Sequence, residues 1–153
     1  MALPPFTRLV DEHRTAVWGY LCAMVGPTQA PDLLQDTMLS ALRAYPSLKD
    51  ASNLRSWLFS VAHSRVVDGA RAKARRPEVL GTVPERGVAP VDADDELWVA
   101  VNRLPDKQRH AVVLRFVGDL PYAGIGELAG TSEAAARQNV RAGIARLREE
   151  LEP

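Results

Sequence analysis

The sequence predicts an all-α protein of two small helical domains joined by a flexible linker, the C-terminal domain a helix-turn-helix. Three observations carry that prediction. Apolar residues recur at three- and four-residue steps through both halves of the chain, and nowhere alternate with polar ones strongly enough for a sheet. Residues 77–95 read PEVLGTVPERGVAPVDADD, with three prolines, two glycines and little apolar periodicity. Proline removes backbone donors and glycine is costly to order, so neither helix nor sheet is favoured there. Charge is segregated as well: residues 1–76 carry ten Lys/Arg against six Asp/Glu, residues 77–95 one against five, and residues 96–153 eight of each. A basic first part, an acidic connector and a balanced second part describe two units and a tether.

The first helix is marked by Phe6, Leu9, Val10, His13, Val17, Tyr20, Leu21 and Met24, and Gly26-Pro27 ends it. Pro31 suits the first turn of a second helix, residues 31–45. Leu34, Met38, Ala41, Leu42 and Tyr45 form its apolar face, and Pro46 stops it. Ser52 or Asn53 can cap a third helix, which carries Leu54, Trp57, Leu58, Val61 and Ala62 and runs toward Arg76. In the second half, Leu97, Val101 and Leu104 mark a short helix before Pro105. Asp106 can cap the next, running to Phe116, and Gly118-Asp119 breaks it. A short helix spans about Pro121 to Ala129, Gly130 turns the chain, and Ser132 can cap a last helix to about Glu150.

Length and composition narrow the function. A chain of 153 residues with 46% hydrophobic and 25% charged residues can form one domain or two very small ones, and is not disordered throughout. No apolar run approaches the ~20 residues of a membrane span. The start, Met1-Ala2-Leu3-Pro4-Pro5, lacks the basic and apolar segments of a signal peptide, and Cys22 is the single cysteine. One cysteine excludes an internal disulfide and a multi-cysteine zinc site, so a cytoplasmic location is expected. His13, His63 and His110 are far apart in sequence and in no metal-ligand spacing. There is no phosphate-cradling glycine loop, acid pair or nucleophile elbow, so no enzyme, no metal and no cofactor is expected. A net charge of zero argues against strong nucleic-acid affinity by charge alone.

Three constellations carry function. The chain ends in LPYAGIGELAGTSEAAARQNVRAGIARLREEL, residues 120–151. Its last helix buries Ala136, Val140, Ile144, Leu147 and Leu151 on one face and shows Ala134, Arg137, Gln138, Arg141 and Arg148 on the other. Small residues at the start allow close approach to a surface, and Arg and Gln can bond base edges and phosphates. This is the pattern of a helix-turn-helix whose second helix enters a major groove, and also of a plain helical hairpin with a basic solvated face. The third helix mixes Trp57 and Phe59 with His63, Ser64, Arg65, Asp68, Arg71, Lys73, Arg75 and Arg76. Rings that stack on bases beside cations that track phosphates suit single-stranded nucleic acid, although the spacing of Trp57 turns it toward the core. The second helix sets Gln35, Asp36, Ser40 and Arg43 away from the Leu34/Met38 face, with Leu33 and Leu39 at the boundary. A partly apolar stripe flanked by acids fits a helix-to-helix protein contact, or an ordinary amphipathic helix.

In this order the pieces resemble the extracytoplasmic-function (ECF) sigma factors of bacterial RNA polymerase. DLLQDTMLSAL, residues 32–42, resembles the family's motif for the polymerase clamp. LRSWLFSVAHSRVVDGARAKARR, residues 54–76, resembles its minus-ten helix, and residues 104–148 resemble its helix-turn-helix for the minus-thirty-five element. The resemblance implies that residues 1–76 bind the polymerase core and open the promoter, and that residues 96–153 bind upstream duplex. The clamp of the beta-prime subunit would meet Asp32, Leu33, Gln35, Asp36, Leu39 and Arg43. The minus-ten DNA would meet Lys49, Asp50 and Asn53 in the loop, and His63, Ser64, Arg65, Arg71, Lys73, Arg75 and Arg76 on the helix. The minus-thirty-five duplex would meet Ser132, Glu133, Ala134, Arg137, Gln138 and Arg141. An anti-sigma factor is an implied partner, and the covalent chemistry belongs to the polymerase. The chain departs from the family pattern at Pro31, at Ser64 where asparagine is frequent, at Ala123-Gly124 where acids are frequent, and at Asn139 and Ala142 where basic residues are common. A stand-alone helix-turn-helix regulator, or an adaptor of helical hairpins, would leave the first two motifs without a role.

Overall fold

The structure, a computed structural model, describes residues 3–74 and 95–152, without the side chains of Lys73 and Asp95. Among these residues the regular structure is entirely helical. The elements are α1 (Phe6–Val25), α2 (Ala30–Ala44), a 3-10 turn at Tyr45–Ser47, α3 (Leu54–Ala74), α4 (Asp95–Asn102), α5 (Asp106–Phe116), α6 (Tyr122–Ala129) and α7 (Glu133–Leu151). The expected flexible linker, residues 77–95, lies outside the described residues except for Asp95, which opens α4.

α1, α2 and α3 pack against one another as one layer of the molecule. Leu9, Val17, Tyr20 and Leu21 of α1 are buried against Ala41 of α2 and Leu58, Phe59 and Ala62 of α3. Gly26 closes α1 with φ of 83°, a left-handed value that glycine adopts without a Cβ penalty, and Pro31 occupies the first turn of α2. Tyr45 ties the far end together. Its ring meets Phe6 edge-on at 5.3 Å and Trp57 at 6.1 Å, and its hydroxyl donates to the Pro4 carbonyl. Trp57 is thus a partly buried member of the core, as its spacing predicts.

The second unit is built on α7, which packs against α4, α5 and α6. Ala136, Val140 and Leu147 are buried, with Ile144 and Leu151 partly so, which is the face expected from the sequence. At the turn before α7, Gly130 has φ of 71°. Gly126 lies so close to the Thr131–Ser132 backbone that a Cβ there would stand 2.9 Å from it.

Two expectations are corrected. Leu42 does not join the apolar face of α2: it is 49% exposed. It lies three and seven residues beyond Leu39 and Gln35, so helical geometry places it on their outward stripe. Asp106 is not the N-cap of α5. Pro105 holds that position, with φ of −55° and ψ of 147°, and its carbonyl accepts from the Arg109 N–H at 2.9 Å. Asp106 is the first helical residue, where its carboxylate still favours the helix N-terminus electrostatically.

The two units are in contact. α1 meets α5, and α3 meets α6. The Arg55 guanidinium of α3 donates from Nε to the Gly118 carbonyl at 2.5 Å. A Cβ at Gly124 of α6 would stand 3.0 Å from Ser56 Oγ of α3, so the small residue at this departure from the family pattern permits close packing.

Candidate nucleic-acid interface

The start of α7 is built by its cap. Ser132 has an extended backbone, and its Oγ accepts from the Ala135 N–H at 3.0 Å. The remaining N–H groups of the first turn have no intrahelical acceptor, which makes the helix start receptive to an anion. Ser132, Glu133, Ala134, Gln138 and Arg141 are exposed around it. Arg137 is only half-exposed. Its guanidinium lies 5.0 Å from the centre of the Tyr122 ring and 3.2 Å from the Glu133 carboxylate. Arg115 stacks on the same ring at 4.3 Å and donates to the Leu120 carbonyl at 3.1 Å. Tyr122 thus lies between two guanidiniums and braces Arg137, a contact the sequence pattern does not display because the three residues lie on three helices. Arg148 is exposed farther along the helix.

On α3, Ser64 and Arg71 are exposed, and Arg65 is paired with Asp68 at 2.7 Å. His63 turns elsewhere: its Nδ1 lies 3.2 Å from the Tyr20 hydroxyl, at the junction of the two units. The Lys73 side chain and residues Arg75 and Arg76 lie outside what is described. In the loop before α3, Lys49, Asp50 and Asn53 are all exposed. Asp50 Oδ1 accepts from the Ser52 N–H at 2.8 Å, and its bonding to Ser52 holds the carboxyl below its ordinary value.

The outward side of α2 shows Asp32, Gln35, Asp36, Leu39 and Arg43, with Leu33 half-buried. Leu39 and Leu42 are 43% and 49% exposed, so the stripe is more apolar than the sequence pattern implies. Beside it, Trp18 of α1 and Leu34 and Met38 of α2 line an open groove of about 750 Å³.

The family model for sigma-70 region 2 matches residues 9–76, and that for sigma-70 region 4 matches residues 94–147. The RNA polymerase sigma factor CarQ of Myxococcus xanthus is 33% identical over 157 aligned positions, covering 95% of this chain and 88% of CarQ. The chain belongs to the ECF sigma factors. The ECF sigma factor SigL of Mycobacterium tuberculosis is 34% identical over 98 residues, which is 63% of this chain and 55% of SigL, so the match spans about half the length of that relative. Among solved structures, the sigma factor RpoE of Bartonella quintana, in complex with the anti-sigma factor NepR, superimposes with a TM-score of 0.75. It is 22% identical, and the match covers 96% of each chain. CnrH in complex with the cytosolic domain of CnrY gives 0.71 at 21% identity, covering 96% of this chain and 87% of CnrH. At such identities the likeness is one of fold. In this sigma factor the region 2 match takes in α2 and α3 whole, and the region 4 match takes in the full turn between α6 and α7.

Proposed function

We propose that this chain directs RNA polymerase core to specific promoters, with residues 1–76 binding core and opening the minus-ten element and residues 96–153 reading the minus-thirty-five duplex. The observation that carries this reading is the order of the two sigma-70 regions along one chain, each with a suitable outward face. The stripe Gln35, Asp36, Leu39, Leu42 and Arg43 of α2 supplies apolar area ringed by charge, suited to the clamp of the beta-prime subunit. The capped start of α7, with Arg137, Gln138 and Arg141, supplies base-edge and phosphate donors, and Ser132, Glu133 and Ala134 allow close approach. The exposed loop residues Lys49, Asp50 and Asn53 are placed to receive an unstacked base, with Ser64, Arg65 and Arg71 along the strand. Sigma factors are initiation factors and not enzymes, so chemistry stays with the polymerase.

An anti-sigma factor is the further partner we propose, because RpoE, of the same fold, is seen with one. A cytoplasmic location follows from this work on polymerase, and no described helix is long and apolar enough to cross a membrane. Run-off transcription with purified core on a pool of host promoters tests the reading. Core-dependent transcripts from a defined subset are expected. Duplex binding without core binding would favour a stand-alone regulator instead.

A further inference from the structure

All three histidines of the chain, His13, His63 and His110, lie along the junction between the two units. The Tyr20 hydroxyl stands between two of them, 3.2 Å from His63 Nδ1 and 3.0 Å from His110 Nε2. The two imidazole rings are 4.9 Å apart, centre to centre, and the Tyr20 ring is fully buried against Phe59. Farther along, His13 Nδ1 lies 3.0 Å from Nη1 of Arg55, the same arginine that reaches across to the Gly118 carbonyl. Polar groups of α1, α3 and α5 thus meet at the contact between the two units.

Such a contact cannot persist at a promoter of the proposed kind. Elements centred near minus ten and minus thirty-five are about 25 base pairs, or roughly 85 Å, apart at 3.4 Å per pair. α3 and α7, about 32 and 29 Å long at 1.5 Å per residue, would together reach only about 60 Å even if laid end to end. α3 and α7 cannot reach both elements while their units touch.

We propose that this junction is a proton-sensitive latch, in which Tyr20, His63 and His110, flanked by His13 and Arg55, hold the two units together while the imidazoles are neutral and release them when the imidazoles gain protons. The hydroxyl has one proton to donate. It can donate to one imidazole and accept from the N–H of the other, which satisfies all three groups with both rings neutral. Two imidazoliums would leave the hydroxyl between two donors and set two cations face to face.

The surroundings push the same way. Burial, then His63, then Arg109 lower the pKa of His110 to about 4, and burial lowers that of His63. His13 is lowered by burial and by Arg55, against a smaller opposite effect of Glu12. The other charged groups at the cavity beside the pair are Asp106, Lys107 and Arg109 of α5, with Asp106 3.7 Å from Arg109. α6, α7 and the turn between them offer it only Ile125, Ala129, Thr131, Ala136 and Asn139, and α1 adds Met24 and the neutral Tyr20 phenol, so among the described residues at this cavity only Asp106 offers a compensating negative charge. A histidine whose pKa is depressed in the closed form favours closure above its ordinary value of 6.5, and that preference is lost as pH falls toward the depressed value. Between pH 7.5 and 5.5, His110 alone shifts the open-to-closed ratio about tenfold toward open.

The test is electron-resonance distance measurement on the full chain, spin-labelled at Thr7→Cys and Arg146→Cys in a Cys22→Ala background. The population at the longer distance should rise about tenfold relative to the shorter one between pH 7.5 and 5.5. The His63→Gln/His110→Gln variant should lose most of that response. Tyr20→Phe, which keeps the buried ring, should raise the open population already at pH 7.5 and serves as the second route if the double variant does not fold. Equal distance distributions at both pH values, an unaltered response in the double variant, or a Tyr20→Phe protein as closed as the parent would each overturn the latch. The significance for promoters rests on the proposed function, but the readout uses neither polymerase nor DNA, so either can fail while the other stands.

Discussion

The faces of α3 and α7 that we propose to meet DNA differ in what the rest of the molecule does with them. α7 is buried along one side by its own unit and carries Gln138 and Arg141 free on the other, with Arg137 braced on Tyr122. α3 is used twice over. Leu58, Phe59 and Ala62 fill the core of the first unit, while Arg55, Ser56 and His63 face the second. From Ser64 to Ala74 no residue whose side chain is described is fully buried. On the proposed reading, the residues assigned to duplex are already exposed on α7 and its cap, Arg137 by half, whereas His63, among those assigned to strand opening, is engaged at the contact with the second unit.

The largest effect should come from breaking the core that α3 provides. Leu58 is fully buried, and Leu58→Ala should cost about 2–5 kcal/mol in denaturant unfolding, whereas Ser64→Ala, six residues on and exposed, should change stability by less than about 0.5 kcal/mol. Similar losses for both would mean that α3 does not divide in this way.

On α2, Asp36→Arg reverses a charge on the outward stripe and should weaken core binding by tenfold or more without unfolding the chain, measured by titration of labelled core. Unchanged affinity would remove this helix from the polymerase contact.

For α7, Arg137→Ala should relax discrimination between a mapped promoter and single upstream-element changes by roughly 1–3 kcal/mol, and Arg148→Ala should leave it intact. Wild-type discrimination in both Arg137→Ala and Gln138→Ala would show that this face does not read the element. The smallest effect sharpens the role of the brace. Tyr122→Leu removes the ring on which Arg137 lies, and should cost discrimination about 0.5–1 kcal/mol, with Tyr122→Phe close to the parent.

What the sequence determined by itself was everything that depends on neighbours along the chain. Apolar spacing of three and four residues marked each helix, prolines and glycines marked their ends, and Ser132 announced the cap it makes. The motif order pointed to the family. Where one-dimensional signals weakened, errors of one step followed: Leu42 was apolar but on the outward stripe, and Asp106 was a good cap displaced by Pro105. The tertiary structure alone decided which distant residues meet. Tyr20, His63 and His110 are separated by 43 and 47 positions, and no periodicity encodes their shared hydroxyl. Nor does any spacing within α7 reveal that Arg137 is held by a tyrosine of α6, or that Gly124 makes room for Ser56. Helical periodicity says which side of a segment avoids water. Which other segment covers that side is settled by packing of the whole chain, and it is there that polar groups buried at a junction find their partners or lack them.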